Sequence, residues 1–320
     1  MSSTKTHNVL ITGVTSTLGR QLARLLYYDK RIGFILGVAI DDRPFYFDDF
    51  SSSRFHYMRV DLTKPRQVNN LFYSDIFKDM NIDTVIHMAF LNKPSDVGPK
   101  SHELNVVGTK MLIDKCLETG QVTKFIFKSS HLVYKIRPHN PVMLDEEADL
   151  NFDKDAPQWI RDRVDADMIC RAKMDNPHMN VVVLRFSNIV GRNIHSLMNA
   201  YLSSKVAFTV MGFDPMVNLI HPRDAIYAIQ LAIHKNVKGV FNIVGRDTAP
   251  LHVFLDLNKT KRRALPEPLH KVVNSWQKKI GATDFDFESG RDLLKYAVLL
   301  DPTKAEKVLG YRPRHHVEFG

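Results

Sequence analysis

Short apolar runs alternate along this chain with longer stretches whose apolar positions recur every three or four residues. The runs fall at 9–11, 34–40, 55–60, 84–89, 124–128, 181–185 and 240–245. Each is short, and most are predominantly apolar, as a strand buried on both faces should be; 55–60 and 124–128, among others, carry charged residues as well. Between them the spacing turns helical. Leu18, Leu22, Leu25 and Leu26 predict one apolar helix face after the first run. Leu104, Val107, Met111, Leu112 and Cys116 predict the inner side of another helix, and 159–173 reads as a third. Strand and helix in this alternation predict an α/β fold built on a doubly wound parallel sheet.

The first turn of that pattern carries chemistry. Thr12-Gly13-Val14-Thr15-Ser16-Thr17-Leu18-Gly19 lies between strand and helix. Gly13 permits a tight turn, and Gly19 lets helix and strand pack closely. The new helix offers a pyrophosphate its free N–H groups and its positive dipole end. The glycine that would let backbone approach the pyrophosphate is Ser16, which adds a Cβ but also a hydroxyl that can donate. Gly13, Ser16, Thr17, Leu18 and Gly19 therefore form the expected cofactor cradle of a Rossmann domain. Asp41 ends the second run, roughly 20 residues past the glycines, where a carboxylate accepts from the adenosine ribose hydroxyls. This favours NAD. Arg43 stands near enough to meet a 2′-phosphate, so NADP is the second choice. Ser130 and His131 stand at the carboxyl end of the fifth run, where open α/β sheets bind ligands. Histidine there is a candidate general base. Asn105, inside a helix, is open to two readings, a packing hydrogen bond or a cofactor contact.

The alternation also divides the chain. Residues 1–185 form the expected Rossmann domain, to which 221–245 returns, and 186–220 with 246–320 form a smaller substrate lobe. Composition is that of an ordinary globular protein, 44% hydrophobic and 25% charged. Net charge is +9, which attracts anionic small molecules and anionic lipid surfaces. No helix-turn-helix, zinc-finger or aromatic RNA-binding pattern appears, so nucleic acid is not an expected partner. The 14 histidines and two cysteines lack ligand spacing, so no metal is expected. Cys116 and Cys170 read as buried thiols of a reducing compartment, and the polar N-terminus lacks a signal-peptide core, so a cytoplasmic location is expected. One stretch complicates this. Across 266–280, Leu269, Val272, Val273, Trp276 and Ile280 share a helical face flanked by Lys271, Lys278 and Lys279. Such a helix can lie in a lipid interface, or pack its apolar face on its own domain.

The order of motifs resembles the extended short-chain dehydrogenase/reductases, the NAD-dependent epimerase/dehydratase family. The glycine turn matches that family's TGxxGxxG. Val85-Ile86-His87-Met88-Ala89-Phe90 matches its fourth-strand motif, and Asn105-Val106-Val107-Gly108-Thr109 the helix after it. Ser129-Ser130-His131-Leu132-Val133-Tyr134, Leu184-Arg185-Phe186-Ser187-Asn188 and His221-Pro222-Arg223-Asp224 follow in family order, and 301–313 closes the series. The resemblance implies that Asp41 holds the ribose, that Asp61 and Leu62 flank the adenine, and that Ala89 and Phe90 lie along the cofactor. It places Ser130 on a catalytic Ser/Thr position and Asn188 on the substrate side. A homodimer and a small-molecule substrate are compatible with it.

The resemblance breaks at the catalytic Tyr-xxx-Lys. Aligning Ala166-Asp167 with the family's Ala-Glu pair puts Trp159 at the tyrosine position and Arg163 at the lysine position. Indole donates only, and arginine effectively never deprotonates. A literal Tyr201-xxx-Lys205 stands after the sixth strand, outside the motif's context, and reads as chance. Three readings follow. The chain is an oxidoreductase or isomerase of nucleotide sugars or related alcohols and ketones, with a rebuilt acid/base; or a NAD-binding sensor or scaffold; or a sterol- or lipid-directed dehydrogenase at a membrane surface.

Overall fold

The computed structural model describes residues 6–92 and 98–319. The first five residues of the polar N-terminus lie outside these. Seven strands form one sheet: β1 (His7–Thr12), β2 (Ile32–Ala39), β3 (Phe55–Arg59), β4 (Thr84–His87), β5 (Lys124–Ser130), β6 (Asn180–Phe186) and, beyond a gap in sequence, the strand Gly239–Ile243. They lie in the order Gly239–Ile243, β6, β5, β4, β1, β2, β3, with every pairing parallel. The chain reverses direction across the sheet between β1 and β4, and open sheets of this kind bind ligands at such a switch point.

Alternation along the strands sorts side chains between two layers. Val9, Ile11, Ile126, Val182 and Leu184 pack with the helices Thr17–Tyr28 and Pro222–His234. Leu10, Phe125, Phe127, Val181 and Val183 pack on the other face, with Pro65–Tyr73, Thr109–Thr119 and Gln158–Arg171. In the first helix Leu18, Leu22 and Leu26 are buried as expected, but Leu25 is exposed. Lys124 caps the helix Pro222–His234: its Nζ donates to the carbonyls of Ala232, Ile233 and Lys235 at 3.0, 2.6 and 2.7 Å. A lysine suits the negative end of the helix dipole.

The helix after β4 departs from expectation. After a first α-helical turn, Pro99–His102, the residues Glu103–Gly108 are π-helical, and the buried stripe from there on is Asn105, Gly108, Thr109, Leu112, Ile113 and Cys116. Val107 faces solvent. The inner positions of these turns are polar or glycine because the helix lies against backbone: a Cβ on Gly108 would sit 3.2 Å from the Leu62 carbonyl oxygen.

The remaining elements form a third cluster. β7 (Asn188–Ile189), β9 (Met216–Ile220) and β11 (Asp247–Pro250) make a small mixed sheet, and β8 (Val206–Val210) pairs with β12 (Lys261–Leu265); the seventh strand of the main sheet, Gly239–Ile243, is β10. The helix Glu267–Lys279 packs near β8 with an unusual polarity. His270 and Gln277 are buried, whereas Val272 and Trp276 are 71% and 60% exposed. The apolar face does not cover the domain core.

Candidate active site

A cleft of about 600 Å³ opens at the carboxyl ends of the central strands, a volume typical of small-molecule sites. Its base is the turn after β1. Gly13 adopts φ +67°, and a Cβ there would lie 2.9 Å from the Ala89 backbone. A Cβ on Gly19 would fall 2.3 Å from the Gly13 carbonyl oxygen. Both glycines are required by close backbone approach. Ser16 is the N-cap of Thr17–Tyr28, its Oγ accepting from Gly19 N–H at 3.1 Å. Its hydroxyl proton is left to donate outward. Thr17 and Leu18 line the cleft, and Thr17 Oγ1 reaches the Asn193 carbonyl opposite at 2.8 Å. Gly19 itself lies behind the lining, as the packing residue.

His87 sets the wall above this turn. Thr109 Oγ1 donates to the Asn105 carbonyl at 2.6 Å and so accepts from His87 Nε2 at 2.9 Å. His87 Nδ1 then accepts from Thr12 Oγ1 at 2.7 Å, and Thr12 accepts from the Met88 and Ala89 N–H groups at 3.1 and 3.2 Å. Burial pushes the His87 pKa down to about 3, so the ring is neutral. This chain of bonds holds Ala89 and Phe90 on the cleft wall. Asn105 is corrected from a cofactor contact to a wall brace. Its Oδ1 accepts from Leu91 N–H at 2.9 Å and its Nδ2 donates to Leu91 O at 3.2 Å, and it does not line the cleft.

Asp41 lines one end, accepting from Thr15 Oγ1 at 2.6 Å. Asp61 and Leu62 line the same cleft, Asp61 tied down by the Thr63 hydroxyl at 2.7 Å. Arg43 turns away, donating to the Phe47 carbonyl at 2.9 Å.

Ser130, His131 and Asn188 line the other part. Ser130 Oγ accepts from Leu132 N–H at 3.3 Å. His131 is buried, not a solvent-facing loop residue. Its Nδ1 donates to the Phe186 carbonyl at 3.1 Å, which leaves Nε2 as the acceptor. Burial, with the Arg163 charge adding to it, pulls its pKa down to about 4. His131 Nε2 and the Ser187 hydroxyl are buried without a hydrogen-bond partner among the described residues, and both residues line the cleft. Orphaned polar atoms of this kind call for an occupant.

The two substituted positions separate. Arg163 lines the cleft, stacked on Phe90 and Trp159 with its charge centre 5.3 and 4.6 Å from their ring centres. Its guanidinium also donates to the Trp159 carbonyl at 2.6 Å and the Asn92 carbonyl at 3.0 Å. Trp159 does not line the cleft. It is buried in the third cluster, its indole N–H donating to Ser289 Oγ at 3.1 Å. Trp159 thus holds the family's tyrosine position in sequence only: its ring packs into the third cluster and presents nothing to the cleft. Tyr201 is likewise a core residue, bonded to the Phe208 carbonyl at 3.1 Å. Lys128 is a further lining residue that the motifs do not single out, although a lysine directly after the apolar run Phe125-Ile126-Phe127, at a strand's carboxyl end, is a visible signal.

Comparisons with known proteins bear on the fold and the family. An uncharacterized protein of Mycobacterium tuberculosis (strain ATCC 25618 / H37Rv) is 28% identical over 96% of this chain and 80% of its own length. A trifunctional UDP-glucose 4,6-dehydratase/UDP-4-keto-6-deoxy-D-glucose 3,5-epimerase/UDP-4-keto-L-rhamnose-reductase of Arabidopsis thaliana is 26% identical over 75% of this chain and 37% of that protein. Among solved structures, a dTDP-glucose 4,6-dehydratase from Streptomyces venezuelae with NAD bound superposes with TM-score 0.72 at 17% identity, over 97% of this chain and 92% of that one. A UDP-glucuronic acid 4-epimerase from Bacillus cereus, in complex with UDP-glucuronic acid and NAD, gives TM-score 0.68 at 17% identity, over 97% and 95%. The family profile itself matches residues 9–244. On that match the chain belongs to the NAD dependent epimerase/dehydratase family.

Proposed function

We propose that this chain binds NAD in the cleft and performs oxidation–reduction of epimerase or dehydratase type on a nucleotide sugar or a related alcohol or ketone. The observation that carries the reading is the joining of two ends in one cleft. A glycine turn, a helix N-terminus and Asp41 lie at one end, and a strand-end Ser130 beside orphaned His131 Nε2 lies at the other. The residues present suit NAD: the Gly13 turn leaves backbone open to a pyrophosphate, and Asp41 accepts from ribose hydroxyls. Bound NAD supplies a hydride acceptor. Ser130 donates its hydroxyl proton to the substrate oxygen, and neutral His131 accepts a hydrogen bond at Nε2. Arg163 braces the wall at Asn92 and Phe90. The segments 186–220 and 246–320 act as the substrate lobe, with Asn188 on its rim. Nucleotide sugars are favoured because the Arabidopsis relative and the Bacillus neighbour are named for acting on them or holding them.

The test is calorimetry with NAD and NADP, followed by nicotinamide absorbance against a panel of UDP- and dTDP-sugars. Saturable NAD binding, weaker NADP binding and turnover on one sugar class are expected. Absence of dinucleotide binding at millimolar concentration overturns the reading. Tight NAD binding with no turnover on any substrate replaces it with a NAD-binding sensor or scaffold.

A second reading adds to this one. The outward apolar face of Glu267–Lys279, with Trp276 60% exposed, supports contact with an anionic membrane surface.

A further inference from the structure

The fifth strand carries a second chemical group into the cleft. Side chains alternate along β5, with Phe125 and Phe127 in one core layer and Ile126 in the other. Lys124, Lys128 and Ser130 share the side of Ile126. Lys124 is fully engaged in capping the helix Pro222–His234. Lys128 is not: it lines the cleft, two residues from Ser130, and no hydrogen bond or carboxylate reaches its Nζ among the described residues. A half-buried primary amine facing a cleft without a partner marks a group the site can use.

We propose that Lys128 is the proton-transferring group of this active site, doing the work that a tyrosine–lysine pair does elsewhere in the family. The proposal rests on the cleft being the NAD site. In the oxidative direction the substrate O–H bond breaks and its proton goes to the neutral Nζ. The adjacent C–H bond would break with its electron pair, which NAD held by the Gly13 turn and Asp41 would accept as hydride, as the carbon–oxygen double bond forms. In the reverse direction the ammonium returns the proton.

The surrounding charges agree. From the helix Gln158–Arg171, Arg163 is the cation whose field reaches Lys128, and with burial it lowers the amine's pKa to about 8. Asp167, on the same helix, is bound to Ser129 and Arg185 on the other side of the strand. Of the carboxylates in the cleft, Asp41 and Asp61 stand at the ends of β2 and β3. His131, at about 4, is too weak a base for neutral pH. A base near the working pH transfers protons best. Arg163, which lines the same cleft, also favours negative charge on the substrate oxygen.

The experiment begins with competitive acetylation of the native protein by acetic anhydride across pH 6–11, read by mass spectrometry, with and without NAD. It needs no substrate. Lys128 should titrate near 8 while exposed lysines titrate near about 10.4, and saturating NAD should slow its labelling. Lys128→Met and Lys128→Arg follow. Both should bind NAD within about threefold of the parent and lose roughly 10²–10⁴-fold in turnover. Parent turnover should rise with pH through about 8, and arginine should not rescue it, because it keeps the charge but cannot release the proton. Labelling of Lys128 near the ordinary value, or parent turnover in Lys128→Met, overturns the proposal. Loss of NAD binding by the parent protein would instead strike the cofactor reading, and the labelling pKa would still decide whether the amine is primed.

Discussion

Two histidines of the cleft wall are held neutral by burial, and this has a consequence in acid. His87 and His131 have pKa values pushed down to about 3 and about 4. In the unfolded chain both bind protons below about 6.5. Between 6.5 and 4 the unfolded state therefore holds more protons than the folded state, and stability falls as pH falls. Each histidine contributes up to about 1.4 kcal/mol per pH unit in that window. Urea titrations from pH 7 to pH 4 should show this slope, and His131→Gln should remove the His131 share of it while leaving that of His87. A rate step near pH 6.5 from His131 is not expected, since it is already neutral there. Asp41 makes a separate prediction. Asp41→Ala removes a charged acceptor for ribose hydroxyls, worth about 1.5–3 kcal/mol, so NAD should bind roughly 10- to 150-fold more weakly by calorimetry. At this scale the sequence was legible where a residue's place on the cleft follows from its place in a motif. Gly13, Asp41 and Ser130 all line the cleft. It was illegible at Trp159, because a motif position says nothing of which way a large ring turns to find a core.

At the scale of elements, motif residues bind the sheet to its helices. Arg185 on β6 and Asp167 on Gln158–Arg171 form a wholly buried pair at 2.6 Å, closed by a second contact at 3.1 Å. Asp167 also accepts from Ser129 on β5 at 2.5 Å. Arg185 donates to Tyr134 Oη and to the Glu146 carbonyl, both at 3.0 Å, and Tyr134 donates to Asn242 on β10 at 2.7 Å. One network thus ties three strands and a helix together behind the cleft. Asp167→Ala leaves the Arg185 charge buried and unpaired, and should cost about 3–5 kcal/mol in urea denaturation. Arg185→Met with Asp167→Leu should recover much of that loss, because the buried charges leave together. The seven strands were readable from apolar runs, since a strand buried on both faces declares itself. The inner face after β4 was not. There the helix meets backbone, so its buried positions are Asn105, Gly108 and Thr109, and a hydrophobic pattern selects Leu104 and Val107 instead.

For the whole molecule, the charge and the inverted helix belong together. Among the described residues, no helix is long and apolar enough to cross a membrane. Glu267–Lys279, with Ile280 capping it, instead leaves an apolar stripe of Leu269, Val272, Trp276 and Ile280 standing in solvent, the feature on which the proposed membrane contact rests. Lys278 is paired with Asp286 at 2.8 Å, but Lys279, and Lys261 and Arg263 on β12, meet no carboxylate among the described residues. On the proposed membrane reading, the net charge of +9 would draw the stripe toward anionic headgroups. The apolar residues would then bury in the interface, with tryptophan suited to its boundary. The protein should float with phosphatidylserine-containing vesicles at low ionic strength and release when salt shortens the Debye length to about 3 Å. Trp276→Ser with Val272→Ser should abolish flotation without changing NAD affinity, because neither residue lines the cleft. Equal recovery with neutral and anionic vesicles, or flotation that survives both substitutions, would remove the membrane surface as a partner.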